Sequence, residues 1–192
     1  MQHQQHSTRT RQTTIRPFFY LAGSLLLIIS DGAGAHGGMS SASAELVATS
    51  GSAVKGSLRF EQIDDDTVLV KGLVAGLAPG KHGIHVHVNG NCDSPDGMSA
   101  GGHYAPYGGH HGSPDGKDHH LGDLGNILAD ANGVAEVKIE VHGVSLALIG
   151  LNSIIDRSVV IHAKEDDFSD PAGNSGARLG CGVIEQDNTM RM

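Results

Sequence analysis

The stretch "GKHGIHVHVNGNC", residues 80–92, decides how this chain is read. From His82 to Val88, Ile84, Val86 and Val88 occupy one parity, and His85 and His87 occupy the other. A period of two marks a strand with one face on a core, because successive side chains point to opposite faces. Ile84, Val86 and Val88 are expected to face inward, with His85 and His87 facing outward together. Two imidazoles on one strand face are either a polar surface or half of a copper or zinc site, since imidazole nitrogen suits both metals. The stretch alone leaves both readings open.

The same short period recurs outward from it. "AELVAT" (44–49), "VKGSLRFEQ" (54–62) and "TVLVKGLV" (67–74) precede it. "GNILAD" (125–130), "VAEVKIEV" (134–141), "SVVIHAK" (158–164) and "CGVIE" (181–185) follow. Turn-forming clusters separate them, and "DANGVAEV" predicts a tight hairpin at Asn132-Gly133, a pair that accepts positive φ. No long apolar stripe of helical period occurs. The chain reads as all-β, its eight short strands forming a sandwich or closed barrel. Residues 89–123 and 165–178 break the rhythm as two long loops rich in Gly, Asp or Ser. Long loops without structure of their own are uncommon unless functional or disordered.

The chain has 192 residues, enough for one domain. Residues 1–16 carry Arg9, Arg11 and Arg16 without an acid. The apolar run "PFFYLAGSLLLIIS" (17–30) follows, then small residues up to Ala35. That order predicts a secretory signal peptide over 1–35, the alternative being a retained membrane anchor. Beyond it, 36–43 is expected to be a flexible mature N-terminus; His36 with Met39 offers at most a loose copper contact. The domain is expected over 44–187, with a tail at 188–192. Residues 36–192 hold 10 Lys+Arg against 20 Asp+Glu, since Arg9, Arg11, Arg16 and Asp31 fall in the leader. So acidic a protein is a poor partner for nucleic acid or an anionic membrane. Export to the periplasm or extracellular space would favour a disulfide between the only cysteines, Cys92 and Cys181. Separate thiols or a shared metal are the alternatives.

Of 13 histidines, eight lie between residues 82 and 120. The loop "GGHYAPYGGHHGSPDGKDHHLGDLGN" supplies His103, His110, His111, His119, His120 and Asp123, and His162 follows on a late strand. A carboxylate near several imidazoles can complete a tetrahedral zinc site. The other reading is a soft metal-scavenging tract.

Five ordered motifs, "HGIHVHVNGNC", "SAGGHYAP", "HHGSPDGKDHHLGDLGN", "VVIHAKEDD" and "GNSGARLGCGVI", resemble the copper/zinc superoxide dismutases. The resemblance runs from about residue 44 to 185. It implies an eight-stranded Greek-key β-barrel with two long functional loops. It implies dismutation of superoxide to O2 and H2O2 by one-electron cycling of a histidine-bound copper, with zinc structuring the loop. Copper would be held by His85, His87, His103 and His162. Zinc would be held by His103, His111, His120 and Asp123, with His103 bridging both. Asp166 would tie a copper histidine to a zinc histidine, His85 to His111. Arg178 would dock the substrate anion, with Lys164 adding positive charge. Cys92 and Cys181 would form a disulfide. His82 would be structural, and His110 and His119 match no ligand. The alternative within the same fold is an exported protein that sequesters or delivers copper or zinc. Relative to the eukaryotic cytosolic enzymes, the stretches from His87 to Cys92 and from His162 to Arg178 are short. That likeness is to exported bacterial members, and implies either a monomer or a homodimer with a different interface.

Overall fold

The computed structural model describes residues 40–187. The expected leader and tail lie outside that range. Nine strands follow in order: β1 (Ser41–Ala48), β2 (Lys55–Gln62), β3 (Thr67–Ala75), β4 (Gly80–His87), β5 (Asp123–Ala129), β6 (Val134–His142), β7 (Ser158–His162), β8 (Arg178–Val183) and β9 (Glu185–Gln186). All neighbouring strands are antiparallel. Around the ring the order is β2-β3-β6-β5-β4-β7-β8-β1, and β1 pairs again with β2. The eight long strands thus close into a barrel without a free edge. The connection from β3 to β4 passes over β6 and β5, which is the Greek-key step. The two-residue β9 lies against β1.

Alternation sorts the side chains. Leu58 and Phe60 of β2, Val68, Val70 and Val74 of β3, and Ile84 and Val86 of β4 are buried in one apolar cluster. The hairpin forms at residues 130–133, but only Gly133 takes positive φ, at +75°. Asp130 steadies it by accepting the N–H groups of Asn132 and Val134 on Oδ1. Two expectations are corrected. Val88 lies beyond the end of β4 and is 37% exposed, so it is not in the core. β1 begins at Ser41, inside the stretch expected to be flexible. Its first residues pair with Glu61 and Phe60 of β2, and Ala42 is fully buried.

On β4 and β7 the outward face is buried too. The loops at 88–122 and 163–177 cover it. A disulfide between Cys92 and Cys181 staples the first loop to β8, and Cys92, Cys181, Val160 and Ala100 make a small second core beneath it.

Candidate metal centre

β4 and β7 are antiparallel neighbours, with Ile84 opposite Ile161 and His87 opposite Ser158. Their outward parities therefore carry His85, His87 and His162 side by side. Two register irregularities adjust the site, as bulges near active sites do. One, between Gly83 and His85, sets Asp123 of β5 opposite His85; the other, between Ile161 and His162, sets His162 opposite Arg178. An isolated antiparallel bridge between His87 and His103 brings the long loop in over this face.

The imidazoles converge in two groups. Donor atoms of His85, His87, His103 and His162 lie within 4.8 Å of one another, and so do those of His85, His103, His111 and Asp123. His85 falls in both, but its Nε2 donates to Asp166 Oδ2 at 2.7 Å, so it has one nitrogen left to give. His103 is the shared member that faces the second group, with Nδ1 2.9 Å from Asp123 Oδ1. His120, expected beside His111, stands further off. Its Nδ1 is 3.4 Å from Asp123 Oδ2, and its ring is 5.9 Å and 6.0 Å from those of His103 and His111.

Four of the rings are tied at one nitrogen, His85 among them. His87 Nδ1 donates to Gly101 O at 2.9 Å, His162 Nδ1 to Gly176 O at 3.4 Å, and His111 Nε2 to Asp166 Oδ1 at 2.9 Å. The opposite nitrogens, His85 Nδ1, His87 Nε2, His111 Nδ1 and His162 Nε2, are buried without a hydrogen-bond partner, as is His120 Nδ1. Buried polar atoms are nearly always satisfied. Five unsatisfied nitrogens in one place form a donor set for cations, and those of His85, His87, His111 and His162 are each oriented by a bond at the other ring nitrogen. Four imidazoles suit copper, and imidazoles with a carboxylate suit zinc.

Protonation agrees. Burial pushes His87 down from 6.5 to about 2 and His162 to about 3, so both rings are neutral with lone pairs free. Burial also lowers His85, partly opposed by its bond to Asp166. Burial acts to lower His111 as well, but the bond to Asp166 and the charges of Asp123 and Asp166 outweigh it, and its pKa rises. Burial acts to raise Asp123 and Asp166; bonds from His103 and the His120 N–H to the first, and from His85 and His111 to the second, keep both below the ordinary range. Neutral imidazoles and ionised carboxylates are the forms that bind metal.

Asp166 is fully buried and joins His85 to His111. The sequence reading missed what supports it. Asn126 donates from Nδ2 to Asp166 O and accepts the Asp166 N–H on Oδ1. Asp170 reaches across from the second loop and accepts from the His111 N–H and from His110 Nδ1. No sequence pattern signals contacts between loops this far apart in the chain. Gly173 lies against the carboxylate at φ +65°. A Cβ there would overlap Asp166 Oδ1 and stand 2.7 Å from His111 Nε2. Gly173→Ala is therefore expected to weaken zinc binding about 10- to 100-fold, the range for losing a ligand-orienting partner. Competition titration against a chelator measures this; unchanged affinity would mean the bridge does not orient His111.

Of the other histidines, His82 has both ring nitrogens against carbonyls, of His162 and Ala78, and offers none to a metal. His110 is exposed against Asp170, and His119 bonds the carbonyl of His120. Arg178 directs Nη1 to Gly97 O at 2.8 Å and Nη2 to Gly101 O at 2.6 Å. It lines a cleft of about 710 Å³ together with His103, His120 and His162. Lys164 is exposed, and its stem packs beside Gly176, a residue of the cleft wall.

A sequence model of the family described as copper/zinc superoxide dismutase matches residues 54–184. The chain belongs to the copper/zinc superoxide dismutase family. Within that match lie every histidine of the two groups, Asp123, Asp166, Arg178 and both cysteines. Superoxide dismutase [Cu-Zn] A of Xenopus laevis is 48% identical over 139 residues, covering 68% of this chain and 89% of the frog protein. A copper/zinc superoxide dismutase takes copper and zinc as cofactors, and the two donor groups fit that pair.

Proposed function

We propose that this chain is a superoxide dismutase, converting two superoxide anions and two protons to dioxygen and hydrogen peroxide. The observation that carries the reading is the meeting of unsatisfied imidazole nitrogens and a guanidinium at one cleft. His85, His87, His103 and His162 would hold copper. His103, His111 and Asp123 would hold zinc, with His120 beside Asp123 as the fourth ligand. Bound copper supplies the one-electron couple that dismutation needs, and zinc, which lacks one, supplies structure.

The chain's own residues do the rest. The carbonyls of Gly97 and Gly101 aim the guanidinium of Arg178, so it meets an incoming anion already oriented. Asp166 fixes the rings of His85 and His111 at once, so the two groups keep their spacing. A protein that only sequesters or delivers metal would need the donor groups but not Arg178 at the mouth.

The basic, apolar and small-residue order of residues 1–35 supports export to the periplasm or extracellular space, and the disulfide agrees with an oxidising compartment. The short stretch between His87 and Cys92 supports a monomer, or a homodimer whose contact differs from that of the eukaryotic enzymes. Light scattering separates the two.

The protein loaded with both metals is expected to consume superoxide, and Arg178→Ala to lower kcat/KM by about tenfold and flatten its salt dependence, the low end of what local field focusing provides. Full copper occupancy without superoxide consumption would leave the sequestration or delivery reading in its place.

A further inference from the structure

Apart from the histidines, Arg178 and Asp96 are the two ionisable side chains lining the cleft among the described residues. The second loop contributes only uncharged residues, among them Pro171, Ala172 and Asn174. Asp96 stands one position before Gly97, whose carbonyl accepts from Arg178. Its Oδ1 accepts the Met98 N–H at 3.0 Å, a bond that holds its pKa below the ordinary range. The carboxylate is thus ionised at neutral pH. It does not neutralise Arg178 directly, because Nη1 and Nη2 are given to carbonyls. The mouth of the cleft therefore presents one cation and one anion to solvent, held by one short segment.

We infer that Asp96 is a positioning residue for anions: its charge opposes that of Arg178 and sets how strongly small anions are drawn toward the metal. The inference rests on the dismutase reading and deepens it. Asp96 then subtracts from the attraction that Arg178 and the bound metals exert, and limits access for every anion, substrate and bystander alike.

Azide, a small monovalent anion, is the probe, and its binding is read from the visible spectrum of the copper-loaded protein. Asp96→Asn keeps the Oδ1 acceptor for Met98 and removes the charge. It is expected to bind azide about twofold tighter at low ionic strength, the size of one unit charge acting through water-like dielectric over several ångströms. The difference should vanish at about 0.5 M salt, where the screening length falls below that separation. Asp96→Glu should restore the original affinity. Asp93→Asn makes the same net-charge change outside the cleft lining and should have no effect. Equal azide affinity in Asp96→Asn and the unaltered protein overturns the inference. So does an equal gain in Asp93→Asn, or a lowered melting temperature with affinity unmoved, which would make Asp96 purely structural. A copper-loaded protein that consumes no superoxide removes the dismutase reading instead and leaves the azide comparison standing.

Discussion

Replacing His162 with alanine is expected to reduce superoxide consumption to the uncatalysed rate while zinc content stays unchanged. His162 belongs to the four-imidazole group and not to the group built on Asp123. Its ring lies 4.8 Å from that of His85 and 5.6 Å from that of His87, and its Nε2 is one of the unsatisfied nitrogens. The side chain is on the outer face of β7, whereas its neighbour Ile161 packs in the core. The barrel should therefore survive the change. Metal analysis, a superoxide assay and a melting curve on the same sample test this. Retained activity would remove His162 from the copper set, and loss of zinc would show that the two groups do not separate as the distances indicate. His103→Ala makes the contrast, because His103 sits in both groups and its loss should disturb both metals.

Reducing the disulfide is expected to lower stability by about 4–5 kcal/mol, the chain-entropy value for a loop of this size. The bond links positions 89 residues apart, so it removes much freedom from the unfolded chain. It should also impair catalysis. Gly97 and Gly101, which aim Arg178, lie on the segment that Cys92 pins to β8, and Arg178 is on β8 itself. Urea midpoints with and without reductant measure the first effect, and the salt dependence of kcat/KM measures the second. A loss under about 1 kcal/mol would mean that the small core of Ala100 and Val160 holds the loop without the bond. Reduction is a cleaner test than substitution. Cys181 is only 1% exposed, and serine there would add a buried hydroxyl.

The strands were legible because a half-buried strand writes its burial as a period of two. That period cannot say where a strand stops. Val88 continues the alternation, yet the chain has already left the sheet. Ser41 and Ala42 are small residues that raise no apolar signal, yet Ala42 is fully buried. The candidate metal-binding residues were proposed through a family resemblance and not through spacing, since His110 and His119 each adjoin a matching histidine. What separates them in the structure is where each ring nitrogen goes: Asp170 and a backbone carbonyl take those two. Asn126, Asp170 and Asp96 were invisible because their roles arise where segments far apart in the chain meet. Lys164, near His162 in sequence, keeps its stem beside Gly176 of the cleft wall.

Both donor groups sit on the outside of a barrel whose interior is apolar and needs no metal to pack. Packing of that interior therefore does not wait on a metal. The barrel can close first, the disulfide can then fasten the first loop, and the metals can enter last through a cleft already shaped. Such a chain could be made in one place and armed in another, without carrying reactive copper on the way.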